Sequence, residues 1–161
     1  MKTYTLADVV QLIDKVNKYD DEIINFGTAE DAVSDVRIKE AEKTLGLQFT
    51  TSYKDFLKNY KGGEIGYEEI FSIYNASFED HPAGDIVHKN LYHRKHGFAT
   101  LEQLVVSRTD FGETFYFDYT QFQDGECPLY VKIPSGASHY YASNFYEFLC
   151  KRIKEHAGED L

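Results

Sequence analysis

Ser52-Tyr53-Lys54-Asp55-Phe56-Leu57-Lys58-Asn59-Tyr60-Lys61-Gly62-Gly63-Glu64-Ile65 is the stretch where the chain changes character. Tyr53, Phe56, Leu57 and Tyr60 recur at helical spacing, and Thr51 or Ser52 can start that helix. Gly62-Gly63 stops it. Glu64-Ile65-Gly66-Tyr67 and Ile70-Phe71-Ser72-Ile73-Tyr74 are then short β-rich runs bounded by turn residues. Lys61-Gly62-Gly63 has the look of a phosphate loop, but it follows a helix, whereas a phosphate cradle follows a strand and opens a helix.

Upstream of this switch the pattern is helical. Leu6, Val9, Val10, Ile13 and Val16 form one stripe behind Thr5, with Asp8 three residues beyond that cap. Residues 25–31, around Gly27, are expected to be a connector. Ser34 caps a second helix whose stripe is Ile38, Ala41 and Leu45, closed by Gly46.

Downstream it is mostly strand. A loop is expected over 75–85, followed by a helix to His96 with Ile86, Val87, Asn90 and Leu91 inward. Leu104-Val105-Val106 reads as a buried strand. Phe115, Phe117 and Tyr119 alternate with Thr114, Tyr116 and Asp118, and Leu129, Val131 and Ile133 alternate with Tyr130 and Lys132. Gln123-Asp124-Gly125-Glu126 carries turn chemistry, which makes these two runs an antiparallel hairpin. After Pro134-Ser135-Gly136 a last helix starts at Asn144, its core face being Phe145, Phe148, Leu149 and Ile153. The sum is a single α+β domain over 1–161, a mainly antiparallel sheet packed against helices on one side.

Charge narrows the function. The chain has 161 residues, with 17 Lys and Arg against 27 Asp and Glu, for a net charge of −10. His93-Arg94-Lys95-His96 is too short a basic run to favour nucleic acid against that field. The N-terminus turns acidic where a signal peptide would be apolar, and no apolar run of about eighteen residues offers a membrane span. Cys127 and Cys150 are expected to be unpaired, buried thiols of a cytoplasmic protein.

Catalytic patterns are weak. His93 and His96 have helical ligand spacing, but His88 is off that face, so surface histidines are expected and no metal is assigned. Asp118, Asp124 and Glu126 gather near one hairpin and could do acid–base work, yet solvated loop acids are the simpler reading. No nucleophile elbow is present. No catalytic residue and no cofactor are therefore assigned. The 13 Tyr and 12 Phe are the informative excess. Tyr53, Phe56, Phe115, Phe117, Phe145 and Phe148 are core candidates, while Tyr67, Tyr74, Tyr116, Tyr130, Tyr140 and Tyr141 fall on opposite faces or in turns. Tyrosines beside acids suit docking to a basic protein. The expected partner-binding residues are Tyr67, Glu68, Glu69, Asp118, Asp124 and Glu126. Reversing Glu68 and Glu69 to Lys is expected to slow association without unfolding the domain.

Several segments together resemble the SUKH superfamily, the Smi/Knr group of yeast cell-wall regulators and bacterial immunity proteins. They are Ile38-Lys39-Glu40-Ala41-Glu42-Lys43-Thr44-Leu45-Gly46, the opening stretch from Ser52 to Ile65, Asp118-Tyr119, Asp124-Gly125-Glu126-Cys127-Pro128, and Ala142-Ser143-Asn144-Phe145-Tyr146-Glu147-Phe148-Leu149. The resemblance runs over about 30–155. Thr50-Thr51 stands where the family usually has a proline, and a hydroxyl cap can replace it. The resemblance implies a non-enzymatic immunity protein that neutralises a cognate toxin, such as a nuclease, by direct contact. A regulatory adaptor of the Smi/Knr type is the alternative.

Overall fold

Four polar side chains set where helices begin. In a computed structural model describing residues 2–74 and 84–158, Ser34 Oγ accepts from Arg37 N–H at 3.2 Å and Thr50 Oγ1 from Tyr53 N–H at 3.1 Å. Asp85 Oδ1 accepts from Val87 and His88 N–H, and Asn144 Oδ1 from Glu147 N–H. Each takes up amides that a helix start leaves unpaired. With the Thr5–Asp8 capping box, they open α1 (Leu6–Tyr19), α2 (Asp35–Leu45), α3 (Thr51–Asn59), α4 (Ile86–Lys95) and α5 (Phe145–Ala157). Gly46, at φ 71°, ends α2 in the left-handed conformation.

The strands are β1 (Ile24–Phe26), β2 (Gly63–Ile65), β3 (Glu68–Ile70), β4 (Gln103–Arg108), β5 (Thr114–Asp118), β6 (Leu129–Lys132) and β7 (Ser138–Ala142). They form one antiparallel sheet in chain order, β1 to β7. The β5–β6 hairpin pairs Phe115 with Val131 and Phe117 with Leu129, as the alternation requires. Phe115 and Phe117 face α5, their rings 5.4 Å from Phe148 and 5.8 Å from Phe145. Tyr53 joins this cluster, 5.0 Å from Phe145, and its hydroxyl donates to Phe71 O. All six aromatic core candidates are buried.

Several expectations need correction. The connector expected over 25–31 begins in β1, because Gly63, at φ 140°, lets Asn25 O come where a Cβ would stand 1.9 Å away. β7 has no counterpart in the sequence reading: as an edge strand with its first three residues exposed, it lacks alternation. Tyr116 is buried although it opposes Phe115 and Phe117, stacking on Tyr130 with centroids 6.1 Å apart. Leu91 and Val10 are exposed. The inner face of α4 carries Ile86, Val87 and Asn90 as expected, with His93 in place of Leu91; Asn90 Nδ2 donates to Ile86 O, and His93 Nδ1 lies 2.6 Å from Lys89 O. The loop expected over 75–85, with Asn75 and Pro82, lies outside the described residues apart from Gly84 and Asp85.

Asn90 explains why α4 sits beside β4. β3 meets β4 at the single pair Ile70–Ser107, so among the described residues Val105 shows its N–H and C=O to no strand on that side. Asn90 supplies both partners: Val105 N–H donates to Oδ1 at 2.7 Å, and Nδ2 donates to Val105 O at 2.9 Å. One amide side chain thus replaces a missing strand.

Candidate functional site

The expected docking residues divide between two ends of the sheet. Register puts Asp118 opposite Gln103 at one end of the β4–β5 pair, and Thr114 opposite Arg108 at the other. Tyr67, Glu68 and Glu69 lie at the Arg108 end; Asp118, Asp124 and Glu126 lie at the Gln103 end.

At the Gln103 end, geometry gives the carboxylates structural work. Asp124 and Gly125 have φ of 54° and 81°, the positive values that a tight hairpin turn demands, and Gln123 and Glu126 bridge across it. That turn docks on the start of α3. Gly125 O accepts from Thr51 N–H at 3.0 Å, while Glu126 accepts from Ser52 N–H at 2.7 Å and Ser52 Oγ at 2.8 Å. Burial pushes the Glu126 carboxyl above its usual value, partly offset by those bonds from Ser52. Asp118 accepts from Thr120 N–H and Oγ1 and from Gln121 Nε2. Partial burial opposes its ionisation, but those bonds outweigh it and hold Asp118 below the ordinary carboxylate value. Asp124 is exposed.

At the Arg108 end, Gly66 and Tyr67 form the β2–β3 turn, with Gly66 at φ 63°. Tyr67 is 93% exposed at its tip. Glu68 was expected in solvent and is instead buried, because its pleat position, opposite Ile65, faces inward. There it accepts from Arg152 Nε and Nη2 and from Ser107 Oγ at 2.8 Å, and His156 Nε2 lies 3.0 Å from Oε1. Arg152 also donates to Tyr141 Oη and stacks 4.6 Å from the Phe115 ring. Burial raises the Glu68 pKa, and Arg152, His156 and Ser107 together more than reverse it, so Glu68 titrates below the ordinary range. Glu68→Lys therefore breaks a buried pair, contrary to the expected neutrality of that reversal. Glu69, on the outer face, sits directly opposite Glu64; burial first, then that neighbouring charge, raises its pKa.

A cavity of about 510 Å³ opens above the Glu68–Arg152–His156 cluster, between the β2–β3 turn, the β4–β5 turn and the end of α5. Its volume is in the range of ligand sites. Tyr67 and Phe111, the latter 85% exposed, both line it. Sequence reasoning missed this cavity and Phe111; the signal was an aromatic in the Asp110-Phe111-Gly112 turn, where burial cannot explain it.

The histidines need one correction. His93 is buried, with Nδ1 2.6 Å from Lys89 O; burial lowers its pKa against that bond. His96 packs on Tyr92 at 4.2 Å. Among the described residues, no group of three or more His, Cys, Asp or Glu is arranged to hold a metal ion. Cys127 and Cys150 are both free and buried. Among the described residues, no helix is long and apolar enough to cross a membrane.

Among the described residues, five α-helices and one antiparallel sheet in chain order, with the Asp124-Gly125 turn docked on α3, make an α+β fold. Residues 35–149 match the sequence profile of the SMI1-KNR4 cell-wall family, and the chain belongs to that family. A comparison with curated proteins gives no match.

Proposed function

We propose that this protein is a non-catalytic immunity protein that binds a cognate toxin and neutralises it by direct contact. The toxin is a basic protein, with a nuclease or other nucleic-acid-targeting enzyme the best fit. The observation that carries this reading is large aromatics left in solvent on a chain of net charge −10: Tyr67, Phe111 and Tyr140 are 93%, 85% and 58% exposed. Exposed aromatics anchor interfaces, and an acid excess speeds encounter with a basic partner. Family membership supports the reading, since immunity proteins and Smi/Knr regulators share the fold. Of the expected docking residues, Tyr67, Glu69 and Asp124 keep side chains that a partner can reach, while Asp118 and Glu126 serve the scaffold. Free thiols suit a reducing compartment, the cytoplasm.

The test is co-expression with a toxin encoded beside the gene. A stable complex and survival of the producing cell are expected. If the purified protein binds no neighbouring toxin and cells die with or without it, the immunity reading fails and regulatory partners become the object of search.

A further inference from the structure

The cavity at the Arg108 end has a chemistry more specific than general acidity. Tyr67 and Phe111 stand on two different hairpin turns yet line the same 510 Å³ space. Solvent exposure of 93% and 85% for two such rings is costly unless something covers them. Behind them the floor is electrically satisfied, because Glu68 holds Arg152 through Nε and Nη2. The remaining carboxylate and guanidinium lining is Asp110, Glu113 and Glu155 against Arg108, three acids to one base. Glu113 is oriented by Thr109, whose Oγ1 donates to Oε1 at 3.3 Å.

Resting on the reading of a basic polypeptide partner, we propose that this cavity receives an arginine side chain from that partner, its guanidinium lying against Tyr67 and Phe111 and forking onto the acidic wall. Arginine fits this lining better than lysine for two reasons. Its flat, weakly hydrated cation stacks on aromatic faces, and its paired donors match a carboxylate. A single arginine does not fill the space, so the flanking backbone of an exposed basic loop enters with it.

Two measurements test this, and they fail separately. First, the isotope-labelled protein is titrated with acetyl-Gly-Arg-Gly-amide, with the Lys and Glu peptides as comparisons. Shifts confined to the Tyr67 and Asp110–Glu113 amides are expected, larger for Arg than Lys and absent for Glu. Absence of localised shifts, or equal shifts with the Glu peptide, overturns the proposal. Second, affinity for the co-purified toxin is measured for Tyr67→Ala, Phe111→Ala and the pair Asp110→Lys with Glu113→Lys. Each aromatic change is expected to weaken binding roughly tenfold or more, with Tyr19→Ala, an equally apolar loss on exposed α1, as a neutral control. Unchanged toxin affinity in all three sinks the arginine site but leaves the immunity reading intact. Arginine-peptide binding in a protein that captures no toxin does the reverse. Matching amide spectra of the variants outside the cavity show that the fold is kept.

Discussion

Neighbouring glutamates in β3 answer the same substitution in opposite ways. Glu68→Lys strands Arg152 and His156 around a second buried cation and is expected to cost about 3–5 kcal/mol in urea unfolding. Glu69→Lys faces Glu64 across the β2–β3 pair, so a like-charge contact becomes an opposite one. Its stability is expected to be unchanged or slightly higher, while association with the partner slows at low salt. Equal destabilisation by both changes would contradict the assignment of faces. The Glu68 pKa is lowered in the folded state from its unfolded value of 4.5. The folded state therefore binds this proton less readily than the unfolded chain. The stability Glu68 contributes is complete above pH 4.5 and is lost as pH falls through the lower folded value. Glu69 and Glu126 are shifted upward and act with the opposite sign. Acid unfolding of Glu68→Gln is accordingly expected to have a shallower slope below pH 4.5 than the parent protein.

Among the elements, α4 and β1 depend on single residues that compensate for short strand pairings. Asn90→Ala leaves the Val105 N–H and C=O buried without the Asn90 amide, a loss of about 2–6 kcal/mol at about 1–3 kcal/mol per orphaned group. Exchange of the Val105 amide should accelerate before the rest of β4; unaltered exchange would mean that another group holds that edge. At Gly63, alanine meets both a positive φ and the Asn25 carbonyl. Gly63→Ala should detach β1, read as rapid exchange of the Gly27 amide that donates to Gly62 O, at more than the ~1–3 kcal/mol of backbone strain alone. The opposite edge is guarded differently. Lys151 Nζ donates to Tyr141 O at 2.7 Å and lies 4.3 Å from that ring, placing a charge where another strand would pair.

For the whole molecule, burial and net charge give two readouts. Burial, with smaller contributions from nearby acids, pushes Cys127 up to about 12 and Cys150 up to about 11. Neither is a thiolate near neutrality, so labelling by a disulfide reagent should track global unfolding. Fast labelling of the native state would place a thiol at the surface. With a net charge of −10, the association rate with a basic partner should fall steeply as salt shortens the screening length from ~10 Å at 0.1 M towards ~3 Å at 1 M. A flat salt dependence would remove electrostatic steering from the binding reaction.

Local rules written in the chain were enough for the helix starts, the Gly62-Gly63 switch, the Asp124-Gly125 turn, the β5–β6 hairpin and the aromatic core, because caps, positive φ and pleat alternation act over a few residues. The ordered segments carried the family as well. Tertiary structure alone decided which acids are structural. Glu68 meets Arg152 across 84 residues of chain and Glu126 meets Ser52 across 74, and no local pattern encodes such distances. β1 and β7 were hidden for the same reason, since short edge strands take their identity from the neighbour they pair with. The cavity lined by Tyr67 and Phe111 exists only because the sheet brings two separate turns to one end, beside the close of α5.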